Sequence, residues 1–180
     1  MAKRGVSKAG WIELALDVLA KEGIQGVKIG RLADILGIAR SGFYWHFENI
    51  EELHDQLLDY WAHEYTGIVM RNPRVLEGEP RDRLNLVIEM VAKYDLAGFD
   101  LAILAWGQAD DRARRVFDEV YAARYEFIGS IIAEAGFTGP DLAMRTRAFI
   151  TFTSWKTVLW KSTSQEEDEA RTFQLDLFLS

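Results

Sequence analysis

The stretch Ile29–Phe47, IGRLADILGIARSGFYWHF, decides how this chain is read. Ile29, Leu32, Ala33 and Leu36 recur at helical spacing and form one apolar face. Gly37 supplies the positive φ of a tight turn, and Ile38 plugs inward behind it. A second short helix is expected from about Ala39 to Phe47. On it Phe43 and Phe47 stand four apart and face the core, leaving Arg40, Ser41, Tyr44, Trp45 and His46 on the other faces. A short helix anchored by apolar residues and showing small, basic and aromatic hydrogen-bonding groups outward has the form of a helix-turn-helix that reads DNA.

The same periodicity continues in both directions. Before the pair, Ile12, Ala15, Leu16, Leu19 and Ala20 give a stripe on a helix from about Lys8 to Glu22, stopped by Gly23. After it, Glu48-Asn49 opens a long helix whose stripe of Leu53, Leu57, Tyr60, Trp61 and Tyr65 runs on to about Met70. The segment Arg71–Pro80, with two prolines, reads as a break holding at most a short helical turn. Helical patterns resume at about Arg81–Lys93, Phe99–Ala109, Asp111–Ala135 and Asp141–Lys161, with Pro140 placed for a first turn. Ser162–Asp168 is polar, and Thr172–Leu179 is expected to close the bundle as a last short helix. No segment alternates with period two for long enough to make a sheet, so the fold class is all-α. The domain organisation expected is a DNA-binding head over residues 1–50 and a helical bundle over residues 51–180.

Composition narrows the function classes. The chain has 180 residues and no cysteine, which removes disulfides, thiolate metal sites and cysteine nucleophiles. No apolar run approaches a membrane span and no signal peptide is visible, so a soluble, cytoplasmic protein is expected. The net charge of −7 is unevenly spread. Residues 1–47 hold seven Lys or Arg against four acids, a modestly basic head on an acidic body. No nucleophile–base pair and no phosphate-cradling glycine loop is present, and His54 and His63 stand nine apart, a poor ligand spacing on one helix. An enzyme, a metal site and a cofactor are therefore not expected.

Residues from about Lys8 to Leu57 resemble the N-terminal domain of the TetR/AcrR family of transcriptional regulators. The resemblance rests on the first stripe ending in Glu22-Gly23, on Leu32-Ala33 before Gly37-Ile38, and on Phe43–Phe47 followed by an acidic turn and Leu53. It implies that Arg40, Ser41 and Gly42 open the recognition helix and face base edges or nearby phosphates, where an Arg can pair bidentately with guanine. It implies that Tyr44 donates to a phosphate and that His46 braces the helix or touches the DNA backbone. Trp45 has two readings, packing beside the first helix or lying against sugar and phosphate. Lys28 replaces the family's capping Thr or Ser, which forgoes about 1 kcal/mol but adds a cation near phosphate. Arg31 is a further candidate for the same surface, and Lys3 and Arg4 would reach DNA as an arm.

One departure concerns Ile50, which stands where the family usually carries Lys or Arg, between Glu48 and the pair Glu51-Glu52. These acids suit a helix N-terminus but would repel phosphate, so weaker or more salt-sensitive DNA binding is expected. In the second half many aromatics recur at helical spacing, with Gln108, Arg124, Thr151, Thr153, Ser154 and Lys156 among them. Most aromatics must be core, yet an aromatic cavity with a few directed polar groups is the usual small-molecule site. The resemblance places it near Trp61, Tyr65 and Trp106; Tyr121 and Trp155 are added as candidates. The last two long helices match in position the pair that makes the family's dimer interface, with Phe149, Phe152 and Trp155 as its apolar face. The implied protein is a homodimeric regulator, a repressor by preference, that binds a double-stranded DNA operator and responds to a small apolar or aromatic effector. The alternative is an all-α bundle that binds a ligand or partner and has lost DNA binding.

Overall fold

A computed structural model describes residues 6–159 and 164–180. Lys3, Arg4 and Trp160, and the side chain of Lys156, lie outside the described residues. The described chain is helical: α1 (Lys8–Glu22), α2 (Ile29–Leu36), α3 (Ile50–Tyr60), α4 (Thr66–Met70), α5 (Pro73–Leu76), α6 (Pro80–Lys93), α7 (Leu96–Trp106), α8 (Asp111–Glu134), α9 (Gly139–Leu159) and α10 (Ser164–Leu179). A π-helical segment, Trp61–Tyr65, joins α3 to α4. The chain folds into two compact units. The first runs to Glu64 and includes Leu101–Phe117; the second holds Tyr65–Asp100 and everything from Asp118 onward.

In the first unit α1 packs on α2 and α3. Ser7 caps α1 by accepting from the Gly10 amide at 3.2 Å, which fixes where the helix starts. Trp11, Ile12, Ala15, Leu16, Val18 and Leu19 are buried, whereas Ala20 is exposed. The expected stripe is thus rotated toward Trp11, whose fully buried ring meets Phe43 edge-on at 5.4 Å. Gly37 sits at φ 64° and ψ 35°. This lets the Ile38 amide reach back to the Ala33 carbonyl at 3.1 Å and turns the chain out of α2.

The second recognition element is shorter than the sequence pattern suggests. Arg40–Trp45 forms a 3₁₀ segment instead of an α-helix through Phe47. Six residues with a central Ser-Gly gain little from helix propagation, so packing of Phe43 decides their geometry. Phe43 is fully buried and stacks on Phe47 at 5.0 Å.

The second unit is a bundle in which α6 packs on α5, α9 and α10. Val75, Leu84, Ile131 and Ile132 are fully buried in its core, with Phe149 and Phe178 edge-on at 5.8 Å. Arg83, also buried, donates to the Val75 carbonyl at 2.8 Å and to Glu134, so α6 is tied to α5 and α8. The last helix starts at Ser164, well before the expected Thr172. The acids Glu166 and Glu167 that make this stretch look like a polar tail sit in its first turn, where the helix dipole favours them.

Candidate nucleic-acid interface and ligand cavity

The 3₁₀ segment and α2 present the candidate reading residues. Tyr44 is 60% exposed and Trp45 85% exposed, so Trp45 does not pack beside α1. Arg40 and Ser41 are also exposed. Arg40 folds back along α2: a β-carbon on Gly30 would stand 2.8 Å from its Nη2. Gly30 is therefore what lets the guanidinium lie flat against the helix, a role that α2's apolar periodicity does not reveal. His46 is half-buried and donates from Nε2 to the Val6 carbonyl at 2.8 Å, bracing the segment that leads into α1. Arg31 is taken up by Glu22, with contacts of 2.7 and 3.3 Å. Lys28 begins α2 with no side-chain cap, leaving its ammonium at an exposed helix start.

The acidic turn before α3 is built from specific bonds. Asn49 caps α3 by accepting from the Glu52 amide at 2.9 Å, and Glu52 accepts from the Glu48 amide at 2.7 Å. Lys8 lies 3.6 Å from Glu52. Glu51 and Asp55 both accept from Arg112, at 2.8 and 2.9 Å. Two of the three acids counted against phosphate binding, Glu51 and Glu52, are thus already partnered by cations.

In the second unit a narrow cavity of about 60 Å³ opens among α4, α6, α7, α8 and α9. Its walls are largely apolar, with Val87, Leu96, Phe127, Ile128 and Phe149 among them. One polar cluster interrupts them. Arg124 donates to Asp100 at 2.5 Å and to the Thr66 hydroxyl at 3.1 Å, and Tyr121 donates to Asp100 at 3.1 Å. Burial and the Asp100 charge push the Tyr121 hydroxyl up to about 12, so it stays protonated and serves as a donor. Burial disfavours the charged form of Arg124, but the Asp100 carboxylate outweighs it and raises its pKa.

Of the ligand candidates read from sequence, Tyr65 lines this cavity, edge-on to Phe99 at 4.8 Å. Tyr121 is not in the lining but donates to Asp100, which is. Trp61 and Trp106 belong to the first unit's core: Trp61 is fully buried and stacks on Phe117 at 6.1 Å, and Trp106 meets His54 at 5.2 Å. Trp155 is not in the lining. Arg124, Thr153 and Ser154, the polar residues noted among the aromatics, do line it, but Gln108 and Thr151 do not. Asp100 and Thr66 carry no sequence signal beyond being polar residues within apolar helices. Phe149 needs correction as a dimer residue. It is 1% exposed and belongs to the protomer's own core, because α9 turns the face of Thr146, Phe149 and Thr153 inward.

The chain thus combines a helix-turn-helix head, turned at Gly37, with an all-α bundle that encloses a cavity. Residues 12–57 match the family of bacterial regulatory proteins, tetR family. No curated relative matches the chain. Among solved structures it is similar to the TetR family transcriptional regulator PfmR from Thermus thermophilus, with a TM-score of 0.71 and 19% identity over 94% of this chain and 96% of that one. It is also similar to the transcriptional regulator FadR from Bacillus subtilis in complex with stearoyl-CoA, with a TM-score of 0.70 and 18% identity over 97% and 98%. A transcriptional regulator from Aquifex aeolicus aligns at a TM-score of 0.67 and 14% identity over 96% and 95%. At such identities the likeness concerns the fold.

Proposed function

We propose that the chain is a one-component transcriptional repressor that binds a palindromic operator as a homodimer and is released by a small molecule held in the second unit's cavity. In this reading residues 1–50 serve DNA and residues 51–180 serve the effector and the dimer. The observation that carries it is the 3₁₀ segment itself: Phe43 and Phe47 are buried while Arg40, Ser41, Tyr44 and Trp45 are exposed. A segment anchored on one side and polar, basic and aromatic on the other suits insertion in a major groove. The acidic turn, which favours a bundle without DNA function, is less repulsive than its charge count, since Glu51 and Glu52 are paired with Arg112 and Lys8.

Dimerisation doubles the contacts of a small reading head on a two-fold site. Large apolar side chains left exposed on α9 and α10, namely Met144, Trp155, Phe173 and Leu177, support that surface. At about 60 Å³ the cavity lies below the roughly 300 Å³ of a common ligand pocket, so an effector must widen it. We infer that this widening favours a state in which the two reading heads leave the spacing of about 34–36 Å that successive major grooves require. The effector then weakens operator binding only as far as it prefers that state. Selection of bound sequences from a random DNA pool tests the reading. A palindromic consensus, bound with a negative salt slope and by a dimer, is the result expected; no enrichment at low salt overturns it.

A further inference from the structure

We propose that the effector of this cavity is an uncharged molecule, an apolar body ending in a hydrogen-bond donor such as a hydroxyl. The inference rests on the cavity reading above and adds its chemistry. Asp100 and Arg124 are the cavity's charged lining residues, and they are paired with each other at 2.5 Å. Their side chains are 5% and 16% exposed. A carboxylate ligand must take Arg124 from Asp100, and an ammonium ligand must take Asp100 from Arg124. Either exchange leaves one buried charge without its partner, the costly outcome for ions in a low-dielectric site. A neutral ligand leaves the pair intact and gains from the apolar walls of Val87, Ile128 and Phe149.

The polar end is placed by a second observation. Thr153 lines both this cavity and a neighbouring one of about 50 Å³ that includes Gln174. Gln174 is 1% exposed and its Nε2 donates to the Thr153 hydroxyl at 2.7 Å. Its carbonyl oxygen is buried and, among the described residues, has no hydrogen-bond partner. Such a buried acceptor calls for a donor. A ligand hydroxyl that passes Thr153 as the cavity widens supplies one without adding charge.

Calorimetric titration of the full chain at neutral pH with four probes of one ring size tests this: benzyl alcohol, its isomer anisole, benzoate and benzylammonium. Benzyl alcohol is expected to bind at least tenfold more tightly than either ion and several-fold more tightly than anisole, which has no donor. Ile128→Phe, which fills the slot, removes the binding. Asp100→Asn leaves Arg124 without its carboxylate and raises benzoate affinity at least tenfold; if that variant does not fold, the wild-type ranking decides. Benzoate or benzylammonium binding the wild type as tightly as the alcohol overturns the charge rule, and anisole matching the alcohol overturns the donor, the cavity reading standing in both cases. No probe binding at millimolar concentration, or binding that survives Ile128→Phe, overturns the cavity reading itself.

Discussion

Arg112, in the first turn of α8, donates to Glu51, in the first turn of α3, at 2.8 Å. The same guanidinium holds Asp55 and Asp110, so a single cation joins three acids within the first unit. Arg112→Ala releases Glu51 and Asp55 at the start of the helix next to the reading element. Because these groups are substantially exposed, the variant is expected to lose no more than about 1 kcal/mol of stability. Operator affinity in low salt should fall several-fold, and adding Glu51→Gln should restore it. Fluorescence anisotropy with the selected operator reads both steps; an unchanged affinity would show that these acids do not feel the phosphates.

The same cluster makes a pH prediction. The hydrogen bond from Arg112 holds the Asp110 carboxyl at about 2, below its ordinary 3.8. A lowered carboxyl pKa means that the unfolded chain binds more protons than the folded one in that window. The stabilisation is complete above about 3.8 and is lost as pH falls toward 2. Carboxyl-carbon NMR titration should find the Asp110 midpoint near the lower value, and Arg112→Ala should return it toward the ordinary one.

His54 acts nearer neutrality. Burial against Trp106 lowers its pKa from 6.5, with Glu51 opposing in part. The folded form therefore prefers the neutral ring, and stability from this residue is present above 6.5 and lost as pH falls below it. His54→Leu should flatten the dependence of Tm on pH between neutrality and the onset of carboxyl titration. A wild-type melting profile already flat in that window would refute the assignment.

The helices are legible in the sequence because apolar spacing and glycine stops reflect burial directly. What escapes it depends on rotation and partner choice. Trp61 and Trp106 look like cavity aromatics, but buried rings stacked on Phe117 and against His54 belong to packing. Phe149, Phe152 and Trp155 look like one apolar face, yet α9 is turned so that Phe149 is interior and Trp155 is 38% exposed. The Asp100–Arg124 pair joins residues 24 apart, a separation that no helical periodicity encodes. The short 3₁₀ reading element departs from the expected helix in geometry, but its inside and outside follow from Phe43 and Phe47 alone.

Phe43 and Tyr44 separate the two sides of that element. Phe43→Ala removes a ring packed on Trp11 and Phe47 and should cost about 3–5 kcal/mol. Denaturant melts of the full chain measure it. Tyr44→Phe removes only an exposed hydroxyl, so stability should not move. If that hydroxyl donates to a phosphate, affinity should drop by about 1 kcal/mol, roughly fivefold, equally for selected and unselected sequences. A sequence-dependent loss would instead make Tyr44 a base reader.

The proposed dimer face differs most from the sequence reading. Phe173 and Leu177 stand one helical turn apart on α10, 65% and 52% exposed, whereas Phe149 is interior. Exposed apolar side chains of this size gain free energy only when another surface covers them, and charges placed there would be buried unpaired in a dimer. Phe173→Asp with Leu177→Asp should convert a dimer to a monomer in sedimentation while each protomer keeps its helicity. Operator affinity should collapse with it, since one head retains only half the contacts. Phe149→Ala, by contrast, should lower Tm and leave the dimer in place. If Phe149→Ala dissociates the dimer while the α10 double variant does not, the interface lies elsewhere on the bundle.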